Sequence, residues 1–202
     1  MKLYYYETPN ARKACAVAKH LELPVDYVRV DLAAGDQQKP DFLAINPNGR
    51  VPALRDGETS LWESNAIMSL LAQRAESELW PQDERQIDVL RWFMWDAVHF
   101  SVYGGTLLFE NFFKPTFGLG ETDKMAVAEA TDHFKKFAGI LDGHLQGRTY
   151  LVGDSLSVAD FAVAAMLPTA EPAELPLDGF HNIERWHSGL MELPAWREPF
   201  PG

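Results

Sequence analysis

Cysteine and positive charge are both scarce in this chain of 202 residues. Cys15 is the single cysteine, which excludes an internal disulfide or a CxxC redox pair and fits a reducing compartment. Lysine and arginine number 18 against 29 aspartates and glutamates, and the net charge of −11 argues against nucleic acid and anionic membranes as partners. No apolar run reaches the roughly 18 residues of a membrane span, and the N-terminus shows no basic-then-apolar leader. We therefore expect a cytoplasmic protein.

The first 76 residues alternate strand and helix signals. Residues 2–6 predict a strand, and Thr8 followed by Pro9 predicts the start of a helix with one apolar face. A second strand is predicted around residues 28–30, and residues 51–62 predict two strands joined at an Asp56-Gly57 turn. The order βαβ, helix, hairpin and helix predicts a mixed sheet of the thioredoxin type.

The rest of the chain carries helix signals alone. Residues 77–84 lose periodicity and predict a linker. Helices are predicted from about residue 87, with an interruption at Gly104-Gly105, and over about 122–146, 158–168 and 182–191. Asp160 follows Ser157 by three residues, which predicts a structural capping box and not a ligand or an acid. The predicted fold class is α/β plus all-α, with a thioredoxin-like domain over 1–76 and an all-helical domain over 85–202.

The most informative stretch reads NPNGRVPAL at residues 46–54 and LWESNAI at residues 61–67. A proline at the start of a strand belongs at a sheet edge or on a cis bond, so Val51-Pro52 is suited to pair with an extended peptide. The helix that starts at Glu63-Ser64 offers free amides and a hydroxyl to a carboxylate, and Glu63 can accept an ammonium. These groups together suit a small zwitterionic peptide such as glutathione.

These two segments resemble the glutathione-binding motif of the soluble glutathione transferases, and the resemblance extends over essentially the whole chain. It implies a cytosolic, homodimeric detoxification enzyme that uses glutathione as co-substrate and a small hydrophobic electrophile as second substrate. The residues that it assigns to glutathione binding are Arg50, Val51, Pro52, Glu63 and Ser64.

Such an enzyme must hold the glutathione sulfur as a thiolate, although a free thiol has a pKa of ~8.5. Family members usually place a Tyr, Ser or Cys beside the sulfur. Here the turn after the first strand is Thr8-Pro9-Asn10, which is similar to that of the bacterial Nu-class members. Thr8 and Asn10 would donate hydrogen bonds to the thiolate from the positive end of the first helix. Tyr5 or Tyr6 is the alternative donor.

Other functional assignments remain open. Cys15 lies more than a turn beyond the sulfur position and is expected to be a core residue. Nine aromatic residues within 92–117 could pack in the core, contact a second subunit or line an electrophile pocket with Tyr103. The six histidines lack metal-ligand spacing, so no metal is expected. A glutathione-dependent disulfide or peroxide reductase and a non-catalytic interaction module are the alternatives to a transferase.

Overall fold

The computed structural model describes residues 1–201, which form two compact units. The first unit comprises Met1–Pro81 together with the segment that starts at Met191, and the second comprises Gln82–Leu190. The sequence predicts a helical domain over all of 85–202, whereas residues 191–201 pack with the first unit. The first unit is therefore discontinuous in sequence.

A mixed four-stranded sheet forms the centre of the first unit. Its strands are β1 Lys2–Tyr5, β2 Asp26–Arg29, β3 Ala53–Asp56 and β4 Thr59–Trp62. Their order across the sheet is β2-β1-β3-β4; β1 and β2 are parallel, and the other neighbours are antiparallel. The two-residue turn Gly57-Glu58 sets the β3–β4 register, which pairs Asp56 with Thr59, so the turn lies one residue later than the predicted Asp56-Gly57. This arrangement confirms the thioredoxin-like prediction.

The stretch Met1–Pro81 of the first unit contains three α-helices, of which the first and the third begin where the local sequence signals place them. They are α1 Pro9–His20, α2 Pro40–Leu43 and α3 Ser64–Arg74. Thr8 is the N-cap of α1, and its Oγ1 accepts a hydrogen bond of 3.4 Å from the Ala11 amide. Side chains alternate along β1, so Leu3 and Tyr5 are buried while Tyr4 meets the ring of Phe42 edge-on.

The second unit is helical throughout. Its α-helices are α4 Arg85–Trp95, α5 Ser101–Leu108, α6 Lys114–Phe117, α7 Lys124–His144, α8 Val158–Val163, α9 Ala170–Ala173 and α10 His181–Met191, the last residue of which belongs to the first unit. A short helix α11, Pro194–Arg197, lies in the returning segment of the first unit. Within residues 1–201, no helix has both the length and the apolar character needed to cross a membrane.

The predicted interruption at Gly104-Gly105 is wrong, because α5 runs through both glycines. A Cβ on Gly104 would approach Met166 and Phe134 to 3.3 Å. Gly104 therefore permits close packing of α5 and does not end it. The irregularity lies earlier, in the π-helical turn Asp96–Phe100 that joins α4 to α5.

The capping box at Ser157 and Asp160 is confirmed. Asp160 is fully buried, and its Oδ2 accepts from the Ser157 amide at 2.9 Å and the Ser157 hydroxyl at 3.0 Å. Its Oδ1 accepts from the Leu151 amide at 2.9 Å and from Trp186 Nε1 at 3.0 Å. One carboxylate thus joins the start of α8 to the preceding loop and to α10.

Candidate functional site

The loop before β3 is held by Asn46, which is 3 % exposed. Its Nδ2 donates to the Arg50 carbonyl at 2.6 Å, and its Oδ1 accepts from the Asn48 amide at 3.0 Å and from Asn48 Nδ2 at 2.9 Å. Gly49 has a φ of +60°, and a Cβ there would lie 2.6 Å from Gln38 Nε2. These constraints fix the chain just before Val51.

The Val51-Pro52 peptide bond is cis, as its place at the start of a strand suggested. Val51 packs against a small buried cluster that contains Val30, Phe42 and Ile45. The position of Val51 is therefore set both by the hydrogen bonds of the Asn46 loop and by packing against this cluster.

A cavity of about 320 Å³ opens beside this bond. It is lined by Asn10, Asn46, Asn48, Arg50, Val51, Pro52, Glu63 and Ser64. The fold thus brings together, from three separated stretches of the first unit, most of the residues selected from the sequence. Asn46 and Asn48 also line the cavity, although only later residues of the NPNGRVPAL motif were predicted to bind the ligand.

Glu63 and Ser64 enter the cavity from the start of α3. Glu63 has φ 72° and ψ 116°, a conformation that L-residues rarely adopt and that often marks a functional position. Ser64 is the first residue of α3, is 7 % exposed, and its Oγ lies 3.4 Å from Asn10 Oδ1. The N-termini of α1 and α3 therefore converge on this cavity through Asn10 and Ser64.

The electrostatic character of the cavity is mixed. Arg50 and Glu63 supply one positive and one negative side chain to its wall. The unpaired amides at the start of an α-helix add a partial positive charge, which favours a carboxylate or a thiolate. A ligand with separated ammonium and carboxylate groups would find a partner for each.

Three of the four residues considered for the sulfur, Asn10, Thr8 and Tyr5, lie in different environments. Asn10 is exposed and lines the cavity. Thr8 is half-buried just before it, caps α1, and has its hydroxyl 3.4 Å from the Tyr6 carbonyl. Tyr5 is 5 % exposed and does not line the cavity, because its ring stacks on Phe200 and meets Tyr27 edge-on. Burial raises the pKa of the Tyr5 hydroxyl, with Glu7 adding to the effect.

Tyr6 is the fourth residue considered for the sulfur, Cys15 is the expected core residue of α1, and Tyr103 is the candidate for the electrophile pocket. Tyr6 lies under the Arg29 guanidinium, 4.5 Å from ring centroid to cation. Cys15 is completely buried in α1, and that burial raises the pKa of its thiol to about 12, so it remains protonated near neutral pH. Tyr103, in the second unit, stacks on His133 at 4.5 Å and on Phe137 at 5.8 Å.

No cluster that could hold a metal ion occurs among residues 1–201: groups of three or more His, Cys, Asp or Glu side chains with suitable placement are absent there.

Comparison with known proteins places this geometry in a family. The N-terminal domain family of glutathione S-transferase matches residues 1–73, and its C-terminal domain family matches residues 94–194. The chain therefore belongs to the glutathione S-transferase family.

Individual relatives with similar sequences or structures are also glutathione transferases. Glutathione S-transferase 3 of Zea mays is 31% identical over 98% of this chain and 92% of its own length. Glutathione S-transferase D7 of Drosophila melanogaster is 31% identical over 94% of this chain and 84% of its own. The crystal structure of a Pseudomonas putida glutathione transferase, with one glutathione disulfide bound per subunit, aligns with a TM-score of 0.90 at 26% identity over 100% of this chain and 91% of that one.

Proposed function

We propose that the cavity beside Val51 binds glutathione and that the chain transfers it, as the thiolate, to small hydrophobic electrophiles. The observation that supports this most is the meeting of the Val51-Pro52 bond with Glu63 and Ser64 around one cavity. The backbone at Val51 would pair with the cysteinyl part of the peptide, as an added strand does. Glu63 would bind the α-ammonium, and Ser64 with the α3 amides would bind the α-carboxylate. Arg50 would contact the glycyl end.

In the same proposal, the sulfur lies beside the start of α1. Asn10 would donate its amide to the sulfur, and Thr8 would contribute its hydroxyl, while the helix N-terminus lowers the thiol pKa. The thiol proton leaves to solvent. The thiolate then forms a bond to the electrophilic carbon, and the leaving group departs with its electron pair. Tyr5 stays the alternative donor, although its ring packs in the core.

Replacing Ser64 by alanine is expected to weaken glutathione binding by about 1–2 kcal/mol, or roughly 5- to 30-fold in Kd, because a hydrogen bond to a charged carboxylate is lost. Isothermal titration calorimetry with glutathione measures this directly. Ser69→Ala is the matched control, because Ser69 lies in the same helix and donates to the Asn65 carbonyl at 2.9 Å, away from the cavity. An unchanged affinity in Ser64→Ala would remove Ser64 from the site, and no binding by the wild type would refute the site itself.

A second candidate activity is glutathione-dependent reduction of disulfides or peroxides. Two features favour it: the Thr8-Pro9-Asn10 turn, which resembles that of the Nu-class members, and the glutathione disulfide bound to the similar Pseudomonas putida protein. An aryl halide and a small glutathione mixed disulfide, assayed side by side with reduced glutathione, separate the two. Turnover of the halide supports the transferase, and turnover of the disulfide alone supports the reductase.

The chain is also proposed to act as a homodimer in the cytoplasm. Apolar side chains that are 45–68 % exposed recur along the helical run of the second unit at Ile87, Met94, Val98 and Val102. Their spacing of four or seven residues places them on one side of the helix, a surface suited to a second copy. Sedimentation velocity should give twice the chain mass. The cytoplasmic location is favoured because glutathione is kept reduced there.

A further inference from the structure

Residues 191–201, the segment that returns to the first unit, lie directly against α1. Arg12, in the first turns of α1, donates from Nη1 to the Trp196 carbonyl at 2.5 Å. The Arg12 guanidinium also lies 5.3 Å from the Trp196 ring centroid and 5.8 Å from that of Phe200. Lys19, near the other end of α1, donates to the Glu198 carbonyl. The segment therefore contacts α1 at both of its ends.

The same segment also supports the end of β1. The ring of Phe200 stacks on that of Tyr5, with a centroid distance of 5.8 Å and an interplanar angle of 14°. Tyr5 is the last residue of β1 and pairs with Arg29 of β2. Phe200 thus contacts both the Arg12 guanidinium and the Tyr5 ring.

Tyr5 and Arg12 flank the short turn that carries Thr8 and Asn10. The Arg12 amide donates to the Thr8 carbonyl at 2.9 Å, which is the first hydrogen bond of α1. The helix dipole disfavours a cation near a helix N-terminus. The Trp196 carbonyl and the rings of Trp196 and Phe200 offset this cost for the Arg12 guanidinium. Movement of either flanking residue would move the turn between them.

We propose that Trp196 and Phe200 are positioning residues for the Thr8–Asn10 turn, because they hold Tyr5 and Arg12 in place on either side of it. This inference rests on the proposed binding of glutathione thiolate beside that turn. The segment touches no residue of the cavity wall through these contacts, so its effect is on the geometry of the sulfur donors and not on the peptide-binding groups. Geometric displacement of a donor weakens stabilisation of a charge without abolishing ligand binding.

Phe200→Ala is the test. The apparent pKa of the bound glutathione thiol, followed by the ultraviolet absorbance of the thiolate, is expected to rise by about 0.5–1 unit. Below that pKa, kcat should fall about 3- to 10-fold in proportion to the thiolate fraction, while the Kd for glutathione changes less than about twofold. Asn10→Ala, which removes a proposed donor itself, sets the scale of the shift. Phe200→Tyr retains the stacked ring and should restore the wild-type pKa.

Lys19→Ala is the matched control, since it releases the same segment from the far end of α1 and should leave the thiol pKa unchanged. If Phe200→Ala does not fold at the assay temperature, Arg12→Met breaks the other half of the support and should give the same shift. A wild-type thiol pKa in the folded variant, with calorimetry still showing glutathione uptake, overturns the positioning role alone. Absence of glutathione uptake by the wild type overturns the proposed function instead.

Discussion

Replacing Asp160 by alanine is expected to lower the free energy of unfolding by about 3–5 kcal/mol. The carboxylate accepts hydrogen bonds from the Leu151 amide, the Ser157 amide and hydroxyl, and Trp186 Nε1. Each buried donor that loses its acceptor costs about 1–3 kcal/mol, and neighbouring losses are not fully additive. The cap of α8 is lost in the same step.

Urea unfolding followed by circular dichroism measures this change at neutral pH. Asp154→Ala is the control, because Asp154 is an exposed aspartate a few residues earlier, and its replacement should stay within about 0.5 kcal/mol of the wild type. A loss below about 1 kcal/mol for Asp160→Ala would show that the four hydrogen bonds contribute little to stability.

The pH dependence of the same variant has a defined sign. Burial raises the pKa of Asp160 to about 6, despite the four donors. The folded state then binds this proton more tightly than the unfolded state, whose aspartates titrate near ~3.9. The stability that the group contributes is therefore fully present below about pH 4 and is partly lost as pH rises through about 6. The advantage of the wild type over Asp160→Ala should grow as the pH is lowered across this range.

Replacing Asn46 by alanine is expected to destabilise the protein by about 2–3 kcal/mol and to weaken glutathione binding at least as much as Ser64→Ala does. The buried side chain makes three hydrogen bonds that fix the loop before Val51, and alanine makes none of them. Binding suffers because the backbone that would pair with the peptide is no longer held in place before the ligand arrives.

Thermal unfolding and calorimetry with glutathione, performed on the same samples, check both parts of this prediction. Gln73→Ala is the matched control: Gln73 is an exposed amide late in α3 and does not line the cavity. It should melt and bind as the wild type does. Wild-type melting and affinity in Asn46→Ala would mean that the loop is held by other contacts.

Features with local causes were predictable from the sequence. The Thr8 cap and the α3 start at Ser64 each follow from the preferences of a few adjacent residues. The β3–β4 hairpin does too, although its turn is Gly57-Glu58 and not Asp56-Gly57. Five residues of the cavity wall could be selected because two short motifs at a fixed spacing carry them: Arg50, Val51, Pro52, Glu63 and Ser64. The helical periodicity of apolar residues also predicted a helix near the start of α4. It did not show which face of α4 is buried: Val89 and Trp92 are buried, whereas Ile87 and Met94 are exposed. A helix that is apolar on two sides does not reveal which side faces the core.

Features that depend on distant partners were not predictable. Nothing local marks Gly104 as a packing position, because Phe134 and Met166, the residues that approach it, lie far along the chain. Asn46 is a different case, because its partners Asn48 and Arg50 are close in sequence, but the residue type alone does not show that its side chain turns into the loop. The contact between Arg12 and Trp196 spans 184 residues, and no periodicity or motif connects such positions.

The discontinuity of the first unit has a consequence for biosynthesis. During translation, β1 and α1 leave the ribosome early, but their partners Trp196 and Phe200 follow only after the entire second unit has been made. Domains commonly begin to fold while the chain is still growing. The nascent N-terminal region would therefore exist for a time with Tyr5 and Arg12 uncovered, and would complete its packing only when the last of these aromatic residues has emerged.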